Sequence, residues 1–145
     1  MEHSWSVLCR LFIRDADLNL FSLIHVLESL TFTPEESIGE EDIEGIPLEA
    51  YIISLWWRND PDQPEIARTR TVLLSPDGEV LDELNETELD LTDKPRIRSI
   101  MQLRGMPFAG GGIYKFVVQL SDEESDSGWR DVATLPLPVT YNPKN

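Results

Sequence analysis

The stretch Leu48-Glu49-Ala50-Tyr51-Ile52-Ile53-Ser54-Leu55-Trp56-Trp57-Arg58 decides the fold. It is rich in β-branched and aromatic residues, which suit a pleated surface. Strand side chains alternate between faces. Tyr51, Ile53, Leu55 and Trp57 therefore share one face, and Ala50, Ile52, Ser54 and Trp56 the other. Apolar residues on both faces predict a central strand covered on both sides, or one face turned to a partner. Helical periodicity with caps is scarce along the whole chain.

Working outward, the same signal recurs. Residues 59–65 read as a turn with Pro61 and Pro64, and residues 66–75 as a strand. Ser75-Pro76-Asp77-Gly78 is a strong turn signal, and residues 79–81 start the return leg of a hairpin. Residues 82–94 read as polar and irregular. Residues 96–106 form a strand with Ile97, Met101 and Leu103 facing in. Three glycines mark a turn within 107–112, and a clean strand follows over 113–120. Residues 121–128 are an acidic turn. The last strand covers 129–141. Pro136 and Pro138 lack the N–H that a ladder needs, so this strand is expected at an edge or crossing a sheet end.

Toward the N-terminus, residues 33–47 form a long acidic loop. Residues 18–32 are apolar, with alternation slipping near Val26-Leu27, which predicts a bulge or bend. A short helix over 18–30 is the competing reading. In residues 5–13, alternation puts Trp5, Val7, Cys9, Leu11 and Ile13 on one face. Residues 1–4 and 142–145 are expected to fray. Seven or eight strands with turns every eight to fifteen residues predict one all-β domain over 1–145, a two-layer antiparallel β-sandwich.

Length and composition agree. A chain of 145 residues fits one domain. The lone Cys9 allows no intrachain disulfide and reads as a small buried hydrophobe. No apolar run is long enough to span a membrane, and no export signal opens the chain, so the expected location is the cytoplasm. With 27 acids against 12 bases the net charge is −15. That excludes nucleic acid and anionic membrane as bulk partners and leaves protein as the expected partner. A homodimer through a sheet face or edge fits as well.

Gly112-Ile113-Tyr114-Lys115-Phe116 resembles the Gly-x-Tyr-x-Cys of an immunoglobulin-type F strand, with Phe116 in the Cys position. The resemblance implies an immunoglobulin-like Greek key and a tyrosine hydroxyl that caps a nearby backbone turn. Four further segments complete a wider likeness. They are Val7-Leu8-Cys9, the run from Asn19 to Val26, the turn at residues 75–78, and Leu135-Pro136-Leu137-Pro138-Val139. Together they resemble an uncharacterised bacterial family of small β-sandwich proteins, which implies no activity.

Several constellations remain. The expected topology gathers the loops holding Asp15, Asp17, Asp60, Asp62, Asp122 and Asp126 at one end. Clustered carboxylates there could chelate Ca²⁺, as in a C2-like module. Arg68 and Arg70 share one strand face, and Arg96, Arg98 and Arg104 another. Neighbouring strands would join them into one arginine-rich contact face. Trp56 is a candidate contact anchor, forming an apolar patch with Ile52. His25 is the base candidate for a small hydrolase, with no nucleophile motif beside it. The expected function is a non-catalytic protein-interaction or scaffold module with no cofactor. The Ca²⁺ module and the hydrolase are its alternatives.

Overall fold

The structure, a computed structural model, describes residues 1–34, 39–123, 125 and 128–143. Nine strands appear among them: β1 (Glu2–Asp15), β2 (Leu20–Val26), β3 (Leu30–Phe32), β4 (Gly45–Trp57), β5 (Glu65–Leu74), β6 (Val80–Leu91), β7 (Arg96–Pro107), β8 (Gly112–Ser121) and β9 (Arg130–Tyr141). They form a four-stranded sheet, order β2-β1-β4-β7, and a five-stranded sheet, order β3-β9-β8-β5-β6. The competing helix over 18–30 does not form. The one helical turn among the described residues is a 3-10 turn at Glu40–Asp42, and no helix there is long and apolar enough to cross a membrane.

β4 is central, flanked by β1 and β7. Its inward row places Ala50, Ile52 and Trp56 in the core, opposite Tyr114, Phe116 and Leu137 of the other sheet. The turn at residues 75–78 closes as expected: Gly78 N–H donates to the Ser75 carbonyl at 2.9 Å, and Ser75 N–H to the Glu79 carbonyl at 2.8 Å. The Tyr114 hydroxyl accepts from Ala109 N–H and donates to the Gly110 carbonyl, both at 2.7 Å, and so ties down the turn before β8.

Four expectations are corrected. The strand count is nine rather than seven or eight, because residues 18–32 divide into β2 and β3, which join different sheets, and residues 80–91 form a full strand. Leu89 and Leu91 anchor this last strand in the core, while register shifts against β5 break the alternation that would have shown it. The sandwich is not wholly antiparallel, since β3 runs parallel to β9. Residues 1–4 do not fray. Met1 is 2% exposed and its ammonium meets Glu65 at 2.8 Å and Asp122 at 2.9 Å. At the other end Asn142 N–H donates to the Phe32 carbonyl, while residues 144–145 lie outside the described residues.

The prolines explain the course of β9. β3 pairs only with Val139 to Tyr141. Along Pro136 and Pro138 the side of β9 away from β8 is therefore an open edge, where a missing N–H costs no ladder bond.

Candidate interaction surface

From Arg10 onward β1 pairs with β2 alone, and the two make an arm. Its tip is built locally. The Asp15 carboxylate accepts from Asp17 N–H at 2.9 Å and Leu18 N–H at 3.0 Å, as aspartate does in turns. Asn19 takes a left-handed φ of 52°, which asparagine tolerates. At the base, His25 has a φ of 55°. It lies between Val26, opposite Cys9, and Ile24, opposite Leu11, at the bend expected near Val26.

One side of the arm lies against the outer face of the four-stranded sheet. Phe12 stacks on Phe21 at 5.6 Å and meets Tyr51 edge-on at 5.1 Å. The Arg98 guanidinium sits 4.1 Å over the Phe21 ring, and its Nη2 donates to the Asn19 carbonyl at 3.1 Å. The pairings Leu11 with Ile24, Ile13 with Ser22 and Asp15 with Leu20 put an apolar row on the other side. Ile13 is 55% exposed, Leu20 59% and Leu18 at the tip 67%. A hairpin turning three large apolar side chains to water marks a contact surface more often than isolated exposure does.

The same sheet gathers cations. Arg10 and Arg14 stand on β1, and Arg96, Arg98 and Arg104 on β7. Among the described residues, none of the five has a carboxylate within ion-pair distance. Arg96 rests 5.4 Å over the Trp57 ring, and Arg104 donates to the Gln102 side chain. Burial, then the nearby charges of Arg96 and Arg14, push the pKa of Arg98 down.

Arg68 and Arg70 belong to the other sheet, so the single arginine face expected from the sequence does not exist. They lie on the outer face of the five-stranded sheet. There Arg70 stacks 4.4 Å over Trp129 and bonds Gln119, and Arg68 meets Glu86 at 3.2 Å. Trp56 is corrected too. It is 0% exposed, its indole N–H donates to Ser99 at 2.9 Å, and Ile52 beside it is buried. The predicted patch therefore lies inside the core. The candidate contact residues that the sequence reading missed are those of the arm. Leu11 and Ile13 carried the right alternation, but periodicity does not say which side meets the core.

Of the carboxylates proposed for Ca²⁺, two serve their own loops. Asp15 and Asp60 hold turns, while Asp62 is exposed. Asp17 gives its backbone N–H to Asp15. Asp126 lies outside the described residues. Asp122 is 5% exposed at its side chain, between the Met1 ammonium and Arg130. Burial alone would raise its carboxyl. Hydrogen bonds from Arg130, the ammonium and Ser125 outweigh that and hold it at about 2. Among the described residues no group of three or more His, Cys, Asp or Glu is placed to hold a metal.

For the hydrolase alternative, His25 is exposed at the bend. A histidine–serine contact occurs elsewhere. His3 Nε2 lies 2.7 Å from Ser6 Oγ, and Ser6 Oγ 2.6 Å from Ser54 Oγ. Burial pushes the His3 pKa down. Ser54 is buried, so the chain of three satisfies a hydroxyl that would otherwise be costly to bury. The Cys9 thiol is fully buried, and burial pushes its pKa up, away from a reactive thiolate. The surface hollow of about 630 Å³ beside Met1 is polar and wide open, unlike the apolar clefts that take small molecules.

Comparison with known protein families and with curated proteins matches none of them to this chain.

Proposed function

We propose that this chain is a non-catalytic protein-interaction module of the uncharacterised bacterial β-sandwich family it resembles. Its contact surface is the β1–β2 arm. The exposed row of Leu11, Ile13, Leu18 and Leu20 carries the reading. Removing apolar area of this kind from water favours a complex, against the translational, rotational and side-chain freedom that association costs.

An immunoglobulin-like Greek key is the finer fold reading. Its support is the order β9-β8-β5-β6 in one sheet, the β4–β7 pair in the other, and the Tyr114 hydroxyl bridging back to the turn at Gly110. The extra strand β1 beside β4 is the departure from that pattern, and it supplies the arm.

The test compares capture of proteins from native cell lysate by wild type and by an Ile13→Lys/Leu20→Glu variant whose melting is unchanged. Loss of a specific partner from the variant is the expected result. Equal capture by both would remove the arm as the contact surface.

A further inference from the structure

The two free edges on one side of the sandwich differ in sign. β6 ends the five-stranded sheet and β7 ends the four-stranded one. They follow each other in sequence and are joined by residues 92–95, so both edges run along the same side. Each is 12 residues long. β6 carries Asp82, Glu83, Glu86, Glu88 and Asp90 and no base. β7 carries Arg96, Arg98 and Arg104 and no acid.

We propose that two copies of this chain pair edge to edge, the β6 edge of each lying against the β7 edge of the other. Charges on edge strands commonly prevent such pairing, but that protection works between edges of like sign. Here like edges repel: β6 against β6 sets five carboxylates against five, and β7 against β7 sets three arginines against three. Only the crossed pairing brings opposite charges together. A two-fold axis parallel to the strands produces it twice at once, as a closed symmetric dimer requires. β6 and β7 run in opposite directions, so each new pair is antiparallel.

The side-chain rows fit this arrangement. The rotation makes the outer face of the five-stranded sheet continuous with the outer face of the partner's four-stranded sheet. Glu83 and Glu86 lie on that outer face, where they meet Arg70 at 3.5 Å and Arg68 at 3.2 Å. These surface pairs are weak and leave the edge acidic. The β7 arginines project from their own outer face, opposite the inward Ser99 and Leu103, and have no carboxylate within ion-pair distance among the described residues. The net charge of −15 opposes association at a distance. Physiological salt screens it beyond roughly 8 Å, while the edge charges act at contact.

Sedimentation velocity over a concentration series tests the pairing with two exposed charge reversals, R96E/R104E and E83R/E88R. Wild type should dimerise. Each variant alone should dissociate about tenfold or more readily, because like charges then face each other. An equimolar mixture of the two variants should recover a heterodimer, because both edges are complementary again. Circular dichroism and melting confirm that each variant folds. A wild type monomeric at every concentration would overturn the proposal. So would a dimer indifferent to both reversals, or one dissolved by Ile13→Lys, which would give self-association to the arm. Binding of an alternating Glu/Val peptide to a monomeric wild type would assign the β7 edge to another protein instead.

Discussion

The two outer faces of this sandwich treat their arginines in opposite ways. On the five-stranded sheet, Arg70 is stacked on Trp129, bonded to Gln119 and near Glu83, and Arg68 has Glu86. Both arginines are satisfied within the monomer. On the four-stranded sheet, five arginines have no carboxylate partner among the described residues, although the chain holds more than twice as many acids as bases. Exposed apolar side chains stand on the arm beside them. In the proposed reading, arginines with no carboxylate among the described residues, next to uncovered apolar area, mark the face that takes a partner. Arginines already matched within the monomer gain little from a partner.

The comparison collapses first if the apolar surplus belongs to Trp56 rather than to the arm. Trp56→Ala should cost about 3–5 kcal/mol, the usual penalty for emptying a large aromatic site in a core. It also strands the Ser99 hydroxyl that the indole N–H now satisfies. Urea denaturation of the variant measures this. A loss near zero would place Trp56 on the surface and undo the contrast.

Next in size is the clamp at Asp122, where the self-satisfied sheet also holds the chain start. Its folded carboxyl, at about 2, lies below the ordinary 3.8. A depressed carboxyl stabilises the fold above the unfolded value, and that stability is lost as pH falls through the folded one. The window is therefore between about pH 4 and pH 2, and the amount roughly 2 kcal/mol. Asp122→Asn removes the titration. The stability gap between wild type and variant should narrow by that amount as pH falls across the window. A gap independent of pH would mean that the ion pairs with Arg130 and the ammonium are not maintained in solution.

The two faces were unequally legible in the sequence. The alternation of residues 48–58 gave the faces of β4 correctly, and the motif at Gly112 anticipated the Tyr114 cap, because both are local. The arm was not legible, because its exposure depends on what the rest of the sheet covers. Leu11 and Ile13 share a face with the buried Cys9, and the bend at the left-handed His25, though signalled by the slipping alternation near Val26, does not say which side of the arm is left uncovered. β6 was hidden by its own carboxylates and by register shifts that spoil its period. The arginine rows were visible as rows, but which sheet each strand joins is a long-range property, and it separated Arg70 from Arg98. Met1 looked like a frayed end because nothing near it in sequence announces Glu65 and Asp122, which lie 64 and 121 positions away.

The smallest expected effect gives the sharpest version of the comparison. Arg70→Ala should lose about 1 kcal/mol, since it removes a stacked cation and two polar contacts from a half-buried site. Arg104→Ala, on the opposite face, should change stability by less than about 0.5 kcal/mol, as surface substitutions generally do. Among the described residues its guanidinium reaches only Gln102. The pair is read by parallel denaturation at low protein concentration, where any dimer is dissociated. Equal losses would mean that Arg104 has an intramolecular role like that of Arg70. The contrast between a face that uses its arginines and one that holds them in reserve would then be gone. The expected inequality leaves the Arg104 charge with no ion pair among the described residues of one copy.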